Sequence, residues 1–300
     1  MASAPLNAVT GVFSYTGRAI ATELLTRGER VRSLSRRDAP GDPLRPRVEV
    51  APLCFDDSLA DALRGASTLY NTYWIRFERG PHTFDEAVVR TVMLFRAAER
   101  AGVERIVHVS VTNPERAPDL PYFAGKLAVE RWLAASGLAH AIVRPTLVFG
   151  REDILVNNIA WILRRLPLFL VPGDGAYEVQ PVSARDVARI AVEAEGTVDA
   201  AGPERLSFES LVRLVRDAVG SRARIVHGPA TIALALTGIA GLFLRDTVLT
   251  RDEVNGLTRS LLTSQTVTAT ERFSEWVIDN GGVLGRSYVS ELARNFRAQE

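Results

Sequence analysis

The chain has 300 residues, 47% of them hydrophobic and 24% charged, which excludes a disordered or collagen-like chain and fits one large domain or two. Its 36 Lys+Arg stand against 35 Asp+Glu, and a net charge of +1 leaves no field to draw it onto nucleic acid or an anionic membrane. A single cysteine, Cys54, excludes an intramolecular disulfide, and four scattered histidines offer no metal-ligand spacing, so no metal is expected.

In chain order, short β-branched runs at Asn7–Thr10, Arg30–Leu34, Val48–Pro52, Thr68–Thr72, Arg105–Ser110 and His140–Val148 alternate with amphipathic stretches such as Ala19–Arg27, Phe84–Ala101 and Pro121–Ala135. Strands alternating with helices predict an α/β fold, a doubly wound parallel sheet covered on both faces. Gly28, Gly102 and Gly137 each follow a helical segment, where a glycine is the usual stop. After Gly150 helices are expected at Ile154–Arg165, Ser183–Glu195 and Ser207–Val219, with a loop at Pro167–Gly175 and mostly helical sequence beyond. The expected division is a nucleotide-binding domain of residues 1–150 with 178–202, and a smaller, mostly helical substrate lobe of residues 151–177 with 203–300. The most apolar stretch, Ile232–Leu244, has 13 residues, short of the ~20 that span a bilayer, and reads as a buried helix. With no basic start and apolar run at Met1–Leu6, a cytoplasmic protein is expected.

The first turn, Gly11-Val12-Phe13-Ser14-Tyr15-Thr16-Gly17, joins a strand to a helix. In a dinucleotide-binding turn the first glycine makes the bend, the last lets helix and strand pack, and the helix N-terminus receives the pyrophosphate. Gly11, Phe13, Ser14, Tyr15, Thr16 and Gly17 are therefore the candidate nucleotide contacts, with Ser14 where a middle glycine is usual. The second strand ends in Ser35-Arg36-Arg37 with no carboxylate before Asp38. Guanidinium groups at that place suit a 2′-phosphate, which favours NADP(H) over NAD(H).

Reading the sequence gives 35 arginines and one lysine, Lys126, four residues after Tyr122. Pro121 suits a first helical turn, and positions four apart share a face, so phenol and ammonium can act together. A fixed cation beside a phenol favours tyrosinate and moves its proton exchange toward working pH. Ser110 ends the fifth strand and Thr112 follows, at the carboxyl edge where such sheets bind ligands; either hydroxyl can hold a substrate oxygen. Asn71-Thr72-Tyr73-Trp74 crowds the end of the fourth strand, and its aromatics narrow the site, line a substrate pocket or simply pack in the core.

Together, the glycine turn, the strand ending in Ser110, Tyr122-x-x-x-Lys126 and Arg144-Pro145-Thr146 resemble the short-chain dehydrogenase/reductase superfamily. The likeness is to its extended and atypical branches, the NAD(P)-dependent epimerase/dehydratase type, and it runs to about residue 220. The resemblance implies that Tyr122 is the general acid/base, that Lys126 holds the nicotinamide ribose, that Ser110 or Thr112 orients the substrate, and that Asp56 contacts adenine. It implies an oxidoreductase, epimerase or dehydratase acting on a small carbonyl or alcohol, seated between Tyr122 and the C-terminal lobe, where Asn157 and Asn158 are either further substrate contacts or helix-surface residues. No nucleic acid and no membrane span are expected as partners. A homodimer pairing through Phe84–Ala101 and Pro121–Ala135 is an assembly the resemblance allows. The competing class is a nucleotide-binding sensor or assembly subunit without catalysis.

Overall fold

A computed structural model of the chain describes residues 4–36 and 38–292, without the side chains at positions 236, 239, 240, 242 and 243. The elements run β1 (Leu6–Thr10), α1 (Tyr15–Thr26), β2 (Arg30–Ser35), β3 (Glu49–Pro52), α2 (Leu59–Leu63), β4 (Thr68–Asn71), α3 (Phe84–Arg100), β5 (Arg105–Val109), α4 (Pro121–Ala135), β6 (His140–Pro145), β7 (Leu147–Phe149), α5 (Leu155–Arg165), β8 (Leu168–Pro172), β9 (Glu178–Val179), β10 (Pro181–Ser183), α6 (Ala184–Glu193), β11 (Gly196–Ala200), β12 (Leu206–Ser207), α7 (Phe208–Ala218), β13 (Arg224–Gly228), α8 (Ala230–Leu244), α9 (Arg251–Thr258) and α10 (Phe273–Asn280). They form two compact units, Met1–Pro145 with Ala184–Ala200, and Thr146–Ser183 with Ala201–Glu300.

The first unit is the expected doubly wound sheet. Seven strands lie in the order β11-β6-β5-β4-β1-β2-β3, and every pairing is parallel. All five residues of β1 are buried, as a central strand covered on both faces requires. The core joins Leu34, Leu69, Leu94, Phe95, Ile106 and Leu133 from strands and helices alike. Gly28, Gly102 and Gly137 follow their helices at φ +79°, +76° and +76°, a conformation that costs other residues a clash at Cβ. The order reverses between β1 and β4, and the crevice at such a reversal is where these sheets bind ligands.

The second unit departs from expectation. Pro167–Gly175 is not all loop: Leu168–Pro172 is a strand paired in parallel with β13, Leu168 against Arg224 through Pro172 against Gly228. The two halves of this ladder lie far apart in the chain, so no local pattern announces it. The run His140–Val148 breaks at Thr146, where β6 ends and β7 leaves to pair with β10. The sequence beyond Val219 is less helical than expected, with β13 and long irregular stretches between α9 and α10 and after α10. Three two-stranded ladders and the helices α5, α7 and α10 enclose Phe149, Val171, Leu211, Val215 and Phe273. The helix α8 is not buried all round: Thr231, Ile232, Ala235 and Gly238 are exposed. Among the described residues, no helix is long and apolar enough to cross a membrane.

Candidate nucleotide site and active site

The turn after β1 is set by backbone. Gly11 sits at φ +69°, and a Cβ there would meet Thr72 Oγ1 at 3.1 Å. Gly17 lies so close under the strand that a Cβ would stand 2.3 Å from the Gly11 carbonyl oxygen and 2.5 Å from that of Thr10. Ser14 caps α1 in an extended conformation; its amide donates to the Gly11 carbonyl at 2.8 Å, and its hydroxyl makes no capping bond. Phe13, Ser14, Tyr15 and Thr16 are half-buried along this turn, and the first-turn amides of α1 have no carbonyl ahead of them in the helix. A compact turn at a helix N-terminus, with glycines where side chains would clash, fits a pyrophosphate.

Arg36 is exposed at the bend that follows β2, and Arg37 lies outside the described residues. Sequence reading missed Arg18, which follows Gly17 and is ion-paired with Asp42, its Nη1 3.1 Å from Oδ1. Burial pushes the Asp42 carboxyl up, but hydrogen bonds from Arg18 and the Leu44 amide outweigh it and hold the group below the ordinary carboxylate range. Asp56 is exposed in the turn beyond β3, where Oδ1 accepts from the Ser58 hydroxyl at 2.5 Å and the Ser58 amide at 2.9 Å; these bonds lower its pKa.

At the other side of the reversal, Thr10 ties β1 to the end of β4. Its Oγ1 accepts from the amides of Thr72 at 2.7 Å and Tyr73 at 3.0 Å, and its carbonyl accepts from Thr72 Oγ1 at 2.7 Å. Asn71 Oδ1 accepts from the Tyr73 amide at 3.0 Å, so its Nδ2 faces His108 Nδ1, also at 3.0 Å. His108 is fully buried; desolvation and the nearby Lys126 keep its pKa well below the usual imidazole value, so the ring is neutral. With Nδ1 accepting from Asn71, the proton sits on Nε2, which is buried and has no partner among the described residues.

Pro121 starts α4 and Tyr122 lies one residue on, half-buried. Its ring stands edge-on to Trp74 and to Phe84, with centroids 6.3 Å and 5.8 Å away. One turn later Lys126 is 3% exposed. Its Nζ donates to the Val109 carbonyl at 2.9 Å and lies 4.5 Å from the centre of the Trp74 ring. Burial pushes the lysine down to about 7, and the Glu130 carboxylate only partly offsets this. Tyr122 and Lys126 thus share Trp74 as a neighbour, but the ammonium turns toward the end of β5 rather than into open space. Glu130 is clamped by Arg144 of β6, Nη2 to Oε2 at 2.5 Å, which fixes α4 against the sheet.

Ser110, just past β5, is 6% exposed, and its hydroxyl is buried with no partner among the described residues. Thr112 is fully buried, its amide donating to the Pro145 carbonyl at 3.1 Å. In the second unit Asn157 and Asn158 are occupied as structural clamps. Asn157 Nδ2 donates to the carbonyls of Asp153 at 2.7 Å and Arg151 at 2.9 Å, and Asn158 exchanges two bonds with the backbone of Val289. Both are buried, so neither is a helix-surface residue. Side-chain amides beside loop backbone close loops as readily as they hold ligands.

A family described as NAD(P)H-binding matches residues 13–194 of the chain. The chain is similar to the mitochondrial NADH dehydrogenase [ubiquinone] 1 alpha subcomplex subunit 9 of Arabidopsis thaliana, at 23% identity over 85% of this chain and 70% of that protein. It spans between 39% and 58% of the length of several other curated relatives. Among solved structures it resembles a nucleoside-diphosphate-sugar epimerase of Staphylococcus aureus, at TM-score 0.70 and 16% identity over 95% and 98% of the two chains. It also resembles the triphenylmethane reductase of Citrobacter sp. in complex with NADP(H), at TM-score 0.72 and 17% identity over 92% and 99%. At these identities the structural likenesses establish the fold alone, a doubly wound parallel sheet with helices on both faces.

Proposed function

Because the chain belongs to the NAD(P)H-binding family, we propose that it is an NAD(P)-dependent oxidoreductase or epimerase-like enzyme acting on a small carbonyl or alcohol. The observation that carries this reading is the buried, unpartnered Ser110 hydroxyl at the end of β5, beside the Val109 carbonyl that receives Lys126. A buried hydroxyl without a partner costs about 1–3 kcal/mol, and a substrate oxygen would satisfy it. The glycine turn fits the pyrophosphate, and the nicotinamide, when bound, supplies or takes up a hydride. Ser110 or Thr112 orients the substrate oxygen, and the Tyr122 phenol gives or receives its proton. Arg36, with Arg37, favours NADP(H), since Asp38 beyond them is committed to Arg45 at 2.5 Å.

The test is a titration with NADPH and NADH followed by a screen of carbonyl substrates. Tyr122→Phe is expected to lower turnover by on the order of 10²–10⁴ while leaving nucleotide affinity nearly unchanged. Equal affinity for the two nucleotides would remove the NADP(H) preference, and unchanged turnover in Tyr122→Phe would remove the acid/base role. A second reading, a nucleotide-binding sensor or assembly subunit, is favoured by the position of Trp74 over Lys126, and the likeness to a subunit of the NADH dehydrogenase [ubiquinone] 1 alpha subcomplex agrees with it. Under that reading Tyr122→Phe is silent in every assay.

A further inference from the structure

Lys126 is the only lysine of the chain, and it is closed off. The Trp74 ring lies over its ammonium at 4.5 Å, and the edge of the same ring rests on the backbone of Gly125, where a Cβ would meet Cζ2 and Cη2 at 3.2 Å. The glycine is thus the notch that admits the indole. Around this contact three buried polar atoms lack partners among the described residues: Trp74 Nε1, Ser110 Oγ and His108 Nε2. Folded proteins seldom leave such atoms unmatched, and a cluster of them marks a place where other partners are to be made. Ring contacts hold the indole, and no hydrogen bond to its N–H does. Its backbone belongs to an irregular segment that begins just past the Thr72 and Tyr73 amides pinned to Thr10. The backbone just before it is therefore anchored, while the indole itself is held by its contacts with Phe84, Tyr122, Lys126 and Gly125.

We propose that Trp74 is a displaceable cover over the Lys126 amine, and that a nucleotide ribose reaching this amine takes the place of the indole. The second clause rests on the nucleotide-binding reading above; the first does not. In the covered state the amine keeps the Val109 carbonyl and the indole face as neighbours. Removing the indole takes away the aromatic face over the ammonium, whose bond to the Val109 carbonyl uses one of its N–H positions.

A sole lysine makes the test specific. The acylation rate of Lys126 by acetic anhydride is read by mass spectrometry on the peptide that carries it, so the terminal amine is counted separately. Trp74→Leu, which keeps an apolar side chain in the cluster, is expected to acylate at least tenfold faster than the unmodified protein. Gly125→Ala, which crowds the indole without removing it, should move the rate the same way by a smaller factor and serves if Trp74→Leu fails to fold. Saturating NADPH should protect Lys126 in Trp74→Leu, and NADP+ should change tryptophan emission in the unmodified protein but not in that variant. Equal acylation rates in all three proteins would overturn the cover. Nucleotide binding without protection or an emission change would overturn the displacement. Absence of nucleotide binding in every variant would remove the nucleotide reading alone, and the acylation ratio still decides the cover.

Discussion

At the end of β1 the chain presents a turn shaped by backbone, with Gly11 at positive φ and Gly17 pressed against the Gly11 carbonyl. One strand over, past β4 and β5, the corresponding region is shaped by side chains: an indole over an ammonium, and three buried polar atoms left unmatched. The first region is fixed chiefly by main chain, the Gly17 backbone lying against the carbonyls of Gly11 and Thr10. The second depends on one side chain, because the Trp74 indole is what faces the Lys126 ammonium. A nucleotide would then meet a finished seat for its pyrophosphate and a closed one for its nicotinamide ribose.

The comparison breaks most easily at the glycine side. In Gly17→Val, a Cβ placed 2.3 Å from a carbonyl oxygen can be relieved only by separating α1 from the sheet. The expected loss is on the order of 5 kcal/mol or failure to fold, read by urea unfolding. A loss below ~1 kcal/mol would mean this turn is not rigid.

The Lys126 side shows itself through pH. The unfolded chain carries this lysine at its ordinary value of 10.5, the folded chain at about 7. Between these values the unfolded chain binds more protons, so the stability contribution rises as pH climbs from 7 to 10, and the penalty is full below 7. Lys126→Met removes that slope, a difference of up to ~5 kcal/mol between the two stability–pH curves. Of the groups facing the amine, Glu130 on α4 is present in both proteins, and His108 on β5 loses a repulsive charge in Lys126→Met but is still held down by burial, below the pH 7–10 window. Parallel curves would show an amine that is neither buried nor covered.

Thr10 joins the two regions. Thr10→Val deletes the acceptor of the Thr72 and Tyr73 amides and should cost about 2 kcal/mol. It should also speed Lys126 acylation, since the anchor before Trp74 is loosened; Thr10→Ser should restore both. The smallest effect is expected at the adenosine side, where Asp42→Asn frees Arg18 from its ion pair. NADPH affinity should rise by about fivefold, worth ~1 kcal/mol, with NADH unchanged. An equal gain for both nucleotides would show that Arg18 does not discriminate a 2′-phosphate.

Much of the first unit is legible in the sequence because its signals are local. β-branched runs, amphipathic stretches and the glycines at 28, 102 and 137 each report on a few neighbouring residues, and all agree. The pairing of β8 with β13 is not legible, because Pro167 and Pro172 read as loop punctuation and the partner strand lies over fifty residues away. At the site, Tyr122, Lys126 and Ser110 stand out by spacing and by strand ends. The part of Trp74 does not, because an aromatic that packs in a core and one that covers an amine look alike in sequence. Arg18 escapes notice because its neighbour Asp42 is brought to it only by the fold. The helix α8 misleads in the other direction, since an uncharged run reads as buried while Ile232 within it is 50% exposed.

The most direct test compares two ligands that share the pyrophosphate and differ at the far end, NADPH and 2′-phospho-ADP-ribose, by titration calorimetry on the unmodified protein and on Trp74→Leu. A closed ribose seat predicts that the unmodified protein binds the two within about threefold. Trp74→Leu should then bind NADPH at least tenfold tighter, about 1.4 kcal/mol, with the fragment unchanged. An unmodified protein that already binds NADPH a hundredfold tighter than the fragment, or a variant that gains equally for both, would contradict the account.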